Sequence, residues 1–171
     1  MIVFVFILLY SISRYFDLSD FGLYNGCEWY SYITFNFVHL TFFHLITNSV
    51  MMIIYGNLVK QVYNKYISVI IPTISSIISG ILFIQNKPTF GASAILFSLL
   101  GMYMCFLYRK KIQGYIRFFI ITAILIAIQS LVAHDMVNWR IHIFSMVFSF
   151  ITAYTYESVR TIRYNRSNRG K

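Results

Sequence analysis

The sequence predicts an all-α, polytopic membrane protein: a bundle of six transmembrane helices with an outer-face loop between the first two. Three observations predict it. Of 171 residues, 58% are hydrophobic and 11% are charged, and mean hydropathy is +0.68, which is more apolar surface than a soluble domain of this length can hide. Long apolar stretches recur at short intervals, and at about 20 residues per span the chain has room for roughly six and no extramembrane domain. Basic residues fall into alternate connections between those stretches, as a polytopic topology requires.

The first apolar segment, 1–16, is the weakest, because its clean apolar run ends near Tyr10. It lacks the basic n-region and small-residue cleavage site of a signal peptide, so it is read as a short, tilted or N-terminally incomplete first helix. The connection 17–37 is rich in Tyr24, Trp29, Tyr30, Tyr32, Phe35 and Phe37 and poor in charge, a composition suited to the headgroup layer. Five further helices are expected over 38–59, 67–85, 91–108, 116–133 and 141–157. A basic cytoplasmic tail follows over 158–171, and the whole of 1–171 forms a single membrane domain.

Charge placement tests this layout independently of hydropathy. With a cytoplasmic N-terminus, the inner connections hold Lys60, Lys65, Arg109, Lys110, Lys111 and Arg117, and the tail holds Arg160, Arg163, Arg166, Arg169 and Lys171. These are 11 of the 14 basic residues. The outer side keeps Arg14, Lys87 and Arg140 with four of the five acids, Asp17, Asp20, Glu28 and Asp135. Both termini are therefore expected inside, in what we expect to be a bacterial cell membrane. The net charge of +9 reads as topology signal and anchor for anionic headgroups, not as a nucleic-acid surface. Cys27 and Cys105 fall on opposite sides of this layout, so neither a disulfide nor a metal site is expected.

Polar groups inside the apolar segments are costly in hydrocarbon and carry the functional signal. The second segment contains His39, His44 and Asn48, of which the last two are four apart and share one helix face. The fourth opens with Gly91-Ala92-Ser93, after a loop containing Pro88, and the sixth opens with Arg140-Ile141-His142. These three segments all run from outside to inside, so Asn48, Ser93 and His142 lie at similar depth in the outer leaflet and can converge on one pocket. Alone, each has a structural reading: a serine caps or bonds its own backbone, and a histidine bridges helices. Ser98, Ser145 and Ser149 are read that way, as small packing residues.

Together the three supply the parts of acyl transfer. A neutral histidine can take the proton of a serine hydroxyl. Backbone N–H groups at a helix start, an Asn amide or a His ring N–H can face an oxyanion, and Gly91 allows a sharp turn and close approach. Two other bases lie near the same face in sequence. Lys87 precedes Pro88 in an interfacial loop, and His134 beside Asp135 falls in the exposed connection between segments five and six. A solvated pair there gains little from burial or alignment.

The ordered set Glu28-Trp29-Tyr30, Ile33-Thr34, His39, His44, Asn48, Gly91-x-Ser93 and His142 resembles the rhomboid intramembrane serine proteases over about residues 24–155. The resemblance implies that Ser93 is the nucleophile and His142 the general base, with no acidic third member and no cofactor. It also implies that His44 and Asn48 are oxyanion-side residues along with Ser93 itself. By the same resemblance His39 is the structural histidine at the loop–helix junction, Phe97 the aromatic beside the catalytic histidine, and Gly101 the small residue between segments four and six. The implied partners are single-pass membrane proteins, cut near the outer end of their helices, within the lipid bilayer; no oligomeric state is implied. The chain departs from the family pattern in three places. Trp29-Tyr30-Ser31 lacks the usual loop arginine, Ser145 and Ser149 stand where glycines are common after His142, and Ser98 replaces a frequent glycine. The competing expectations are a catalytically inert rhomboid-like protein that binds membrane helices, and a small transporter. The latter is disfavoured by the lack of acids within the spans and of an internal repeat.

Overall fold

The structure is a computed structural model that describes residues 2–132 and 138–169. Among them it is all-helical: α1 (Ile2–Ser13), a 3-10 turn (Ser19–Phe21), α2 (Ser31–Thr34), α3 (Phe42–Val62), α4 (Ile67–Leu82), α5 (Ser93–Arg109), α6 (Tyr115–Val132) and α7 (Trp139–Arg169). The six longer helices lie where the six apolar segments were expected, with shifted ends. Among the described residues, Phe42–Val62 is the one helix that is both long and apolar enough to cross a membrane, and Val3–Ser13, Ile67–Leu82 and Ser93–Arg109 are shorter apolar helices.

The shifted ends have local causes. α3 starts at Phe42 rather than near 38 because Thr41 is extended (φ −125°, ψ 149°) and its hydroxyl accepts the His44 N–H, which satisfies a first-turn donor. At the other end of the chain the expected helix 141–157 and separate tail are one continuous helix to Arg169. No glycine or proline interrupts 139–169, Glu157 pairs with Arg160 at 3.4 Å, and Thr161 Oγ1 donates to the Glu157 carbonyl at 2.9 Å. Hydropathy falls after 157, but nothing there breaks a helix.

Polarity is arranged from inside out. Ser75, Ser76, Ser79, Ser98, Ser145 and Ser149 are fully buried, whereas Phe42, Phe43, Ile53, Ile120, Ile121 and Ile151 are exposed. Such a surface is expected of a chain solvated by lipid, where small residues at helix contacts replace apolar burial as the source of cohesion. α5 is the hub, packed against α3, α4, α6 and most extensively α7. At its crossing with α7, a side chain on Gly101 would run into the Met146 carbonyl and the Ser149 hydroxyl, so the backbones touch. Ser149 Oγ donates to the Ser98 carbonyl at 2.8 Å, Ser98 Oγ to the Ser145 carbonyl at 3.3 Å, and the Ser79 and Ser145 hydroxyls bond each other. Serines in place of the usual glycines therefore do not hold the helices apart, because their hydroxyls bond across the contact.

The connection 14–41 folds over one end of the bundle. Leu23 and Thr89 form an isolated antiparallel bridge with N–H···O distances of 3.0 and 2.9 Å, and the Asn25 N–H donates to the Gln85 carbonyl at 2.8 Å. Leu23 also fills the space that a side chain on Gly80 would need. The loop is thus stitched to the segment that leads into α5.

Candidate functional site

The backbone ahead of α5 is set by two constraints. Gly91 has φ +103°, a region that side chains disfavour, and its N–H donates to the Phe35 carbonyl at 2.8 Å. A Cβ on Gly91 would meet the His44 ring, with Nε2 at 2.6 Å, and Asn48 Nδ2 at 3.2 Å. His44 and Asn48 of α3 therefore lie directly against the turn that delivers Ser93. Ser93 is the first residue of α5, preceded by Ala92, which offers no side-chain cap. N–H groups of a first helical turn have no intrahelical acceptor and sit at the positive end of the helix dipole.

The other half comes from α7. Asn138 Nδ2 donates to the Phe83 carbonyl at the end of α4, 2.7 Å away, and the Asn138 carbonyl accepts the Ile141 N–H at 3.1 Å. This fixes the start of α7 and with it the position of His142. His142 Nε2 lies 2.7 Å from Ser93 Oγ, and both residues are buried, at 3% and 4% exposure. The imidazole stacks on Phe97, one helical turn past Ser93, with centroids 4.6 Å apart and planes at 25°. That contact restricts ring rotation and leaves the edge bearing Nε2 facing the hydroxyl.

His39 precedes α3 and does not reach the serine. Its ring packs on Phe6 (4.9 Å) and edge-on to His44 (5.1 Å), and Nδ1 lies 3.2 Å from the Phe37 carbonyl. It props His44 from behind and joins α1 to the site. Gly101 lies two turns down α5, where it sets the α5–α7 distance. Among the described residues, the buried atoms His39 Nε2, Asn48 Nδ2 and Ser49 Oγ have no hydrogen-bond partner. An orphaned buried amide donor is costly unless something else accepts from it.

A serine hydroxyl beside an imidazole nitrogen, with an amide N–H and helix-start N–H groups nearby, can form and stabilise a tetrahedral oxyanion. Lys87 is exposed in the loop before α5, whereas His134 and Asp135 lie outside the described residues. Cys27 and Cys105 are free thiols. Several residues that build the site went unnoticed in the sequence. The Thr41 cap carried a readable signal, a hydroxyl residue just before an apolar helix. The Phe35 carbonyl, the Leu23–Thr89 bridge and the Asn138 clamp carried none, since each acts through backbone groups distant in sequence.

A family model described as Rhomboid domain matches residues 26–158, which is 133 of 171 residues. No curated protein matches the chain.

Proposed function

The chain belongs to the rhomboid family of membrane proteins, and from that premise we propose that it is an intramembrane serine endopeptidase acting on single-pass membrane proteins through Ser93 and His142. The observation that carries the reading is the 2.7 Å contact between Ser93 Oγ and His142 Nε2, made at a buried position between two helices whose backbones touch at Gly101.

In this mechanism His142 is neutral with its proton on Nδ1, so Nε2 accepts the Ser93 hydroxyl proton as Oγ attacks the scissile carbonyl carbon. The tetrahedral oxyanion accepts hydrogen bonds from Asn48 Nδ2–H, from the His44 ring N–H, and from the Ser93 N–H. His142 then passes its proton to the departing amine, leaving an acyl ester on Ser93. A water gives a proton to His142 as it attacks the ester, and His142 returns that proton to Ser93 Oγ as the ester C–O bond breaks, releasing the new carboxyl product and restoring both residues. No cofactor takes part. The substrate helix enters sideways from lipid and water comes from the outer face.

We further propose six spans with both termini cytoplasmic. Supporting this, Gly91 contacts His44 and Asn48 at one end of the bundle, while Asn64 bonds Tyr156 and Arg109 bonds Ser158 at the other. Helices α3, α5 and α7 thus run in one direction, and the basic residues gather at their C-terminal ends.

The test is cleavage of a model single-pass substrate in liposomes by wild type, Ser93→Ala and His142→Ala. Both variants are expected to lose activity with melting temperatures unchanged, and only wild type should be labelled at Ser93 by a fluorophosphonate. Cleavage by Ser93→Ala would reject the mechanism. A folded wild type that neither cleaves nor labels would favour the inert, helix-binding reading.

A further inference from the structure

At the end of α5 remote from Ser93, two adjoining cavities share one wall. The first, about 350 Å³, opens between α5, α6 and α7, reaches from Gly101 at the α5–α7 crossing toward the end of α5, and is lined by Met104, Phe119, Met146 and Val147 with almost no polar surface. The second, about 740 Å³, is lined by Arg109, Lys111 and Arg117. Tyr108, Tyr115 and Ile116 line both. Both volumes are in or near the range of small-ligand pockets, about 300–1,000 Å³. Arg109 and Ser93 are 16 residues apart on one helix, so the basic mouth lies about 24 Å along the axis from the serine, while the apolar cavity reaches back to Gly101, about 12 Å from it.

From this juxtaposition we propose that the cleft binds one anionic phospholipid of the leaflet opposite the Ser93–His142 site, with an acyl chain between α5, α6 and α7 and the phosphate at Arg109, Lys111 and Arg117. Three observations carry it. First, a basic mouth continuous with an apolar slot between membrane helices complements an amphiphile whose head is an anion. Second, Arg109 is preset: its NH1 donates to Ser158 Oγ at 2.9 Å and its guanidinium lies over the Tyr154 ring at 5.1 Å, holding it at the rim. Third, Lys111 has φ +50°, and the Ile112 N–H reaches back to the Leu107 carbonyl at 3.2 Å. A glycine would occupy that left-handed helix-end position at less cost, yet it carries a cation lining the cleft. Charges scattered for topology alone need no such pocket beneath them.

The full chain, purified in neutral detergent, is titrated with dioleoyl phosphatidylglycerol or dioleoyl phosphatidylcholine and read by native mass spectrometry. One phosphatidylglycerol should be retained in preference to phosphatidylcholine. Lys111→Gln and Arg117→Gln should each weaken its binding about five-fold, while Lys110→Gln, outside the cleft, should leave it unchanged. Val147→Trp, which fills the apolar slot, should weaken both lipids, with a thermal melt verifying its fold. Equal retention of the two lipids, or equal losses for Lys110→Gln and Lys111→Gln, would overturn the proposal. So would glycerol 1-phosphate displacing the lipid at comparable concentration, since the slot would then contribute nothing.

Discussion

At the scale of single residues, the site sets a satisfied Ser93–His142 contact beside an unsatisfied Asn48 amide. Ser93 and His142 already share a hydrogen bond, so in the proposed mechanism the nucleophile and its base need no rearrangement before substrate arrives. Asn48 is buried, touches the turn at Gly91, and has a donor with no partner among the described residues. If an oxyanion is its partner, the substitution Asn48→Leu, which keeps the volume, should lower kcat about 10²- to 10³-fold with little change in KM. It should barely affect melting, because removing an orphaned donor forfeits no bond. A large loss of stability with kcat intact would mark Asn48 as structural instead. The residues with chemistry were legible in the sequence because ionisable or amide groups are rare in apolar segments. His39 could be placed at the loop–helix junction, but its stacking on Phe6 could not be foreseen, because contacts between α1 and the α3 entrance follow from packing.

At the scale of helices, the decisive contact is α5 against α7, since Ser93 and His142 sit on those two elements. Gly101→Ala would put a methyl into the Met146 carbonyl, and relieving it must move one helix away from the other. Overpacking of this kind costs about 1–3 kcal/mol, so a lower melting temperature and a marked loss of cleavage should appear together. Ser149→Ala removes the interhelical bond to the Ser98 carbonyl, worth about 0.6 kcal/mol between membrane helices, and the intrahelical bond to the Met146 carbonyl, and should be milder on both measures. Equal effects from the two variants would show that close approach at Gly101 is not what holds the pair. Helix positions were legible from hydropathy and helix ends were not. α7 continues to Arg169 because helix propensity, not lipid affinity, decides where a helix stops. The serines at 98, 145 and 149 were readable as small, yet their bonds across the contact depend on a register that one sequence does not disclose.

At the scale of the whole molecule, the proposed topology puts Cys27 on the outer side and the end of α7 inside. A membrane-impermeant maleimide should therefore label half-buried Cys27 in sealed right-side-out vesicles. An introduced Arg166→Cys should react only after permeabilisation, and buried Cys105 with neither treatment. Labelling of Arg166→Cys in intact vesicles would overturn the orientation. The polarity of the bundle, with hydroxyls inside and hydrocarbon outside, has a thermodynamic corollary. A water-soluble domain owes much of its heat-capacity increment on melting to apolar groups that trade neighbours for water. In the proposed six-span arrangement the outward isoleucines and phenylalanines meet acyl chains before and after the helices separate, so that increment should nearly vanish. A correspondingly flat stability curve is the expected outcome, with chilling doing little to loosen the fold.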